Sequence, residues 1–180
     1  MAINQPATSA QEVCLFNAGS RSVYNGYTKL NIEKLREMIK FFVSRAHSLF
    51  PTKLNKEMFY ADFYHYQQYG TSISGLSYQA IQYGPVPLHY NTIYDNIEGV
   101  NKEVILAYDM ETTKLTTDSC DLSVFDENEI ATLSAIDELL RPLSTNEIVE
   151  LSHKEDAWIN YQSDKLIIPY YEAFSLKLMQ

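Results

Sequence analysis

Glycine is scarce in this chain, six in 180 residues, and that scarcity argues against a site that cradles phosphate with successive backbone N–H groups. No glycine-rich phosphate loop occurs, nor G-x-S-x-G, H-E-x-x-H, a C-x-x-C pair or a calcium loop with its central glycine. Cysteine is nearly missing as well. Cys14 and Cys120 stand far apart, so they make neither a disulfide framework nor a zinc site, and they suit a reducing cytoplasm. No stretch approaches the roughly 20 apolar residues of a membrane span, and residues 1–10 are too polar for a signal peptide. A cytoplasmic protein with no membrane role is expected. Bases are outnumbered, 14 against 23 acids for a net charge of −9, and such a balance repels a phosphate backbone. Nucleic-acid binding by this chain alone is not expected.

What is present fits one globular domain with a short extension. The chain is 46% hydrophobic and 21% charged, and a chain of this length buries about 70% of the surface its unfolded form exposes, enough to fold without disulfides or metal. Between Lys114 and Arg141 there is no Lys or Arg, while Asp118, Asp121, Asp126, Glu127, Glu129, Asp137 and Glu138 all occur. Such a face steers a basic partner. The alternative is that these are solvated loop and helix-start carboxylates.

Residues 1–27 lack periodicity and carry Gly19 and Asn25-Gly26, which reads as an N-terminal extension or linker. Residues 28–180 form the domain. After Asn31, a plausible N-cap, Ile32, Leu35, Ile39, Phe42, Ala46 and Leu49 recur at spacings of three and four. They predict an amphipathic helix of about 18 residues, with Glu33, Lys34, Arg36, Glu37 and Lys40 on its charged face. Pro51 interrupts it. A second helix is predicted over 52–69 and closed by Gly70. Apolar and aromatic residues cover so much of its circumference that it should be the buried centre.

An extended stretch follows over 76–83, then Pro85-Val86-Pro87 as a rigid crossing segment. A third helix starts at Pro87 and closes at Gly99. Residues 103–109 and 114–117 predict a β-hairpin. Asp126-x-x-Glu129 and Ser144-x-x-Glu147 are capping boxes, and Ser152-x-x-Glu155 is a third candidate. Short helices are predicted over 127–140, 145–152 and 154–161, with a last one opening at Pro169. The fold class is α+β, predominantly helical, with six or seven helices and one small antiparallel hairpin or sheet.

Four histidines are the first place to look for chemistry. His65 lies on the apolar stripe of the second helix with Asp62 three residues before it. Both a core histidine satisfied by a hydrogen bond and a metal ligand are open, although a ligand set needs further neighbours. His153 sits in Leu151-Ser152-His153-Lys154-Glu155-Asp156-Ala157-Trp158. A helix junction accounts for it, with Trp158 packed inward and His153 bonded to a carbonyl; partner contact and general-base catalysis are the alternatives. His47 and His89 have no accompanying pattern and default to the surface. No cofactor, metal or catalytic residue is assigned.

The 14 tyrosines say more, because tyrosine buries large area at low entropy cost and keeps a polar handle. Tyr60, Tyr64 and Tyr69 fall off the main stripe of the second helix. Tyr78, Tyr83, Tyr90 and Tyr94 surround the proline segment. Some should face outward.

Lys53-Leu54-Asn55-Lys56, Phe59-Tyr60-Ala61-Asp62-Phe63-Tyr64-His65, Tyr69-Gly70, Tyr83-Gly84-Pro85-Val86-Pro87 and the run from Leu151 to Trp158 together resemble the Panacea domain, over roughly residues 30–162. That family includes SocA-type antitoxins and prophage-associated proteins. The resemblance implies a mostly helical module that neutralises a cognate protein toxin by direct contact, with no catalytic residues. Relatives often carry an N-terminal DNA-binding module, and residues 1–27 are shorter than one. The residues assigned to partner contact are Tyr60, Tyr64, Tyr83, Pro85, Val86, Pro87, Tyr90, His153 and Trp158. A homo-oligomer is compatible with this reading. Two other functions are carried beside it: a regulatory or adaptor subunit acting through another DNA-binding module, and an enzyme using His153.

Overall fold

Asn31 opens the first regular element, its side chain accepting from the Lys34 backbone N–H at 3.1 Å at the head of helix α1, Ile32–Arg45. The structure is a computed structural model and describes residues 20–46, 49–107 and 110–178; His47 and Cys14 lie outside them. Leu35, Met38, Ile39 and Phe42 form the buried stripe of α1. The helix is shorter than its apolar spacing predicts, because Leu49 reaches the core through a β-bridge to Leu115 instead of a further helical turn. Glu37, expected on the solvated face, is buried. Burial pushes its carboxyl up, but donors from Asp121, Arg36 and Lys40 together bring it below the usual carboxylate range.

Helix α2, Pro51–Tyr69, begins on its proline and ends at Gly70, which takes φ 76° as a left-handed cap. Thirteen of its 19 residues are buried, so it is the centre of the domain, as its aromatic circumference implies. A helix surrounded in this way buries polar side chains too, and each needs a partner. Asp62 is fully buried. Its Oδ1 accepts from the backbone N–H groups of Ile73 and Ser74 at 2.8 and 2.9 Å, and its Oδ2 from the hydroxyls of Ser74 and Tyr78. The loop after Gly70 is thus wrapped round one carboxylate. Residues 20–27 pack on the same loop: Ser72 donates from its backbone to Gly26 O at 2.9 Å and from its hydroxyl to Asn25 O at 2.8 Å.

Strand β1, Tyr78–Ile81, is the middle of a three-stranded antiparallel sheet, with β2, Gly84–Pro87, on one side and β5, Ile167–Ile168, on the other. Here the structure corrects the sequence reading. Pro85-Val86-Pro87 is not an exposed crossing segment but a strand buried along its whole length. Its prolines are tolerated because β2 is an edge strand, where a missing N–H breaks no central ladder. The third helix, α3, accordingly starts at Tyr90, not at Pro87, and runs to Asn96. The predicted hairpin is present as β3, Asn101–Ala107, and β4, Met110–Thr116.

Capping chemistry sets the C-terminal third. Asp126 and Glu129 close a reciprocal box at the head of α4, Glu127–Leu140, and Ser144 and Glu147 do so for α5, Thr145–Ser152. The third box does not form. Ser152 is the last residue of α5 and donates to Val149 O, while Glu155 turns inward, so α6 is only Asp156–Ile159. The last helix is a 3-10 turn, Tyr170–Ser175. The described residues are α+β, predominantly helical, with six α-helices and two small antiparallel sheets.

Replacing Asp62 by Ala leaves four buried donors unpaired, and we expect it to lower unfolding stability by about 3 kcal/mol or more. Asp62→Asn, which keeps an acceptor oxygen, should lose less. Urea denaturation measures both; a loss below about 1 kcal/mol for the Ala variant would contradict the role given to this carboxylate.

Candidate partner-binding surface

Two motifs far apart in sequence meet at the β1–β2 turn. Trp158, half-buried on α6, donates its indole Nε1–H to the Ile81 carbonyl at 2.7 Å. His153, at the end of α5, stacks on the Trp158 ring, centroids 4.0 Å apart and 20° from parallel, and makes a backbone hydrogen bond at Gln82. The turn is therefore gripped at two successive residues. Burial pushes the His153 imidazole below its ordinary value, with nearby Lys56 acting in the same direction and the Gln82 bond opposing. Its Nε2 is buried without a partner among the described residues.

From beneath, the turn rests on α2. Lys56 is fully buried and its Nζ donates to the Pro85 carbonyl at 3.1 Å. Gly84 makes that approach possible: its φ is 98°, and a Cβ there would lie 2.4 Å from Ser152 Oγ and 2.6 Å from Lys56 Cε. Next to this seam, Glu155 is buried and accepts from the Tyr60 hydroxyl at 3.2 Å and from the backbone N–H of Lys177 at 2.8 Å.

The outcome is a clamped turn whose exposed residues are Gln82 and Tyr83. Tyr83 is 59% exposed. It borders a groove of about 530 Å³ whose other walls are Thr52 at the start of α2 and Thr145, Val149, Glu150 and His153 along α5. A second groove, about 250 Å³, lies on the other flank of α5, lined by Leu143, Glu147, Glu150, Leu151 and Lys154.

Measured against the expected contact residues, Tyr83 and His153 share this groove, and Trp158 supports it. Tyr64 and Tyr90 are half-buried, with Tyr90 against Tyr94 at a 6.0 Å centroid distance. Tyr60, Pro85, Val86 and Pro87 are interior, which corrects the expectation that they face outward. Tyr60 lies off the main helical stripe, yet it is covered because the C-terminal segment closes over that side of α2 through Glu155. His65 and Asp62 do not form a ligand pair: His65 Nδ1 contacts the Thr71 carbonyl at 2.7 Å, while Asp62 serves the loop. Among the described residues no three His, Cys, Asp or Glu side chains are grouped to hold a metal. His153, Glu155 and Asp156 each look elsewhere, to Trp158, Tyr60 and Lys177. Thr52, Thr145, Val149 and Glu150 were not anticipated. The spacing of four in Thr145, Val149 and His153 is a helical stripe that marks one wall.

Lys56 offers a test of the buried seam. Burial pushes its amine down to about 7, whereas an unfolded chain holds it near about 10.4. The folded state therefore prefers the neutral amine, so the destabilisation is full below pH 7 and fades as pH rises towards 10. Relative to Lys56→Met, the wild type should gain about 3 kcal/mol of unfolding stability between pH 7 and 10. A difference that stays constant across that range in urea titrations would mean that the amine is solvated.

A family model described as antitoxin SocA-like, Panacea domain, matches residues 54–159. The matched stretch, more than half of the chain, runs from the first turn of α2 to the end of α6, and so includes Lys56, Asp62, the β1–β2 turn, His153 and Trp158. No curated protein and no solved structure matches the chain. The groove and the clamped turn are thus built within that stretch, apart from Thr52, and the chain belongs to the SocA-like antitoxin, Panacea-domain family.

Proposed function

We propose that this chain is an antitoxin that neutralises a cognate protein toxin by direct binding in the cytoplasm, through a domain spanning residues 28–180 and without catalysis. The observation that carries the reading is the family match over the segment that builds the clamped turn and most of its groove. Tyr83 suits the task physically. A large ring on an immobilised turn contributes contact area while losing little freedom on binding. Neutralisation is then occlusion, the turn and groove covering the surface with which the toxin works.

Charge supports a protein partner over nucleic acid. At −9 the chain attracts a basic protein surface and repels phosphate. Among the described residues no helix is long and apolar enough to cross a membrane. Tyr83 and His153 are assigned direct contact in the groove, with Trp158 supporting them, and the half-buried Tyr64 and Tyr90 are assigned contact outside it. Pro85, Val86 and Pro87 act from within by holding the turn, and Tyr60 by fixing Glu155 beside it.

The class is tested by expressing the product of the adjacent open reading frame with and without this chain. Growth arrest relieved only by co-expression, with a complex that co-purifies, is the expected result; growth unaffected by that neighbour counts against the reading. Within the complex, Tyr83→Ala should weaken binding about tenfold or more, whereas Tyr171→Ala, at a comparably exposed tyrosine that does not line the groove, should leave it unchanged. Calorimetric titration that finds the two variants alike would remove Tyr83 from the contact.

A further inference from the structure

Helix α5 stands as a ridge between two grooves, about 530 Å³ on the Tyr83 side and about 250 Å³ on the Leu143 side. Only Glu150 of α5's exposed carboxylates lines both. The apolar surface on either flank comes from Val149 and Tyr83 on one side and Leu143 and Leu151 on the other. Neither groove is enclosed, so each suits a protruding side chain better than a small molecule held on all sides.

The charges single out Glu150. Most nearby carboxylates are already engaged: Glu129 by Lys34, Asp137 beside Arg45 and Arg141, Glu147 in its capping box, Glu155 by Tyr60, and Asp156 by Lys177. Glu150 is exposed and, among the described residues, has no hydrogen-bond or ion-pair partner. It is also the one formal charge in the larger groove, where His153 is held towards its neutral form by burial. In the smaller groove Lys154 is the single cation beside two glutamates. On the Tyr83 flank no Lys or Arg lines the groove beside Glu150.

We propose that α5 is gripped from above by a basic segment of the toxin, with a Lys or Arg paired to Glu150 and an apolar side chain seated in the groove on each flank. This inference rests on the antitoxin reading and specifies the chemistry of its partner. A single cation flanked by two apolar groups matches one carboxylate flanked by two apolar grooves, and charge pairing at such a ridge governs specificity and encounter rate. Tyr83 closes the outer wall of the larger groove, so the clamped turn and the ridge form one continuous surface.

The test titrates the full chain with the product of the adjacent open reading frame at two salt concentrations, alongside growth rescue. Glu150→Gln should weaken binding about five- to tenfold and flatten its salt dependence. Glu150→Lys should weaken it about a hundredfold, because two like charges then meet. Val149→Trp, which fills the larger groove, should also weaken binding by about tenfold or more. Glu138→Lys, an exposed carboxylate on α4, is the control and should bind as wild type does. Glu150 has no partner to lose within the described residues, so its variants should unfold at the wild-type urea concentration. If the wild type binds and rescues growth while both Glu150 variants do the same at unchanged affinity, the ridge proposal is overturned and the antitoxin reading stands. If the wild type neither binds nor rescues, the antitoxin reading fails and the ridge proposal with it.

Discussion

A helix buried on every side must find a partner for each polar group it carries, and the domain is organised by how α2 meets that demand. Lys53 donates to the carbonyls of Arg141 and Leu143 at 2.9 and 2.6 Å, satisfying acceptors left over at the end of α4. Asn55 accepts from the Tyr94 hydroxyl on α3, Lys56 holds β2, Tyr60 reaches Glu155, Asp62 gathers the 71–78 loop, and Gln67 holds Ala173 in the last 3-10 turn. Successive turns of one helix therefore fix successive elements of the fold. Apolar packing alone would not choose among them, since it has no direction. Two atoms of α2, Glu57 Oε2 and His65 Nε2, are buried without a partner among the described residues, and at Glu57 burial pushes the carboxyl up, favouring its neutral form.

The same constraint shapes the proposed binding surface. Because Lys56 fixes Pro85 from below and Trp158 and His153 hold Ile81 and Gln82 from the side, the β1–β2 turn has little freedom left. Interior hydrogen bonds thus become a fixed orientation for Tyr83. Gly84 belongs to this arrangement as much as the aromatic residues do, since any side chain there would displace Ser152 and Lys56.

Much of this was legible in the sequence wherever the governing interaction is local. The reciprocal boxes at Asp126 and Ser144 predicted both helix starts, and Gly70 the end of α2, because caps act within four residues. Distance defeated the rest. Ser152 and Glu155 have the spacing of a box, but Glu155 gains more from Tyr60 and the backbone of 177–178. Pro85 and Pro87 read as a stiff exterior segment, and nothing nearby in sequence reveals that α2 and α5 cover them. The candidate site was half visible. His153 and Tyr83 stood out as motif residues, and Thr145 and Val149 continue the His153 stripe, but the opposite wall at Thr52 comes from the other end of the chain.

The claim that a clamped turn and its neighbouring helix form the binding surface is tested most directly by amide hydrogen exchange on the full chain, with and without the product of the adjacent open reading frame. Slower exchange on complex formation at residues 82–84 and along α5 is the predicted result. Slowing confined to the β3–β4 hairpin or to Tyr170–Ser175, with 82–84 and α5 unchanged, would contradict it.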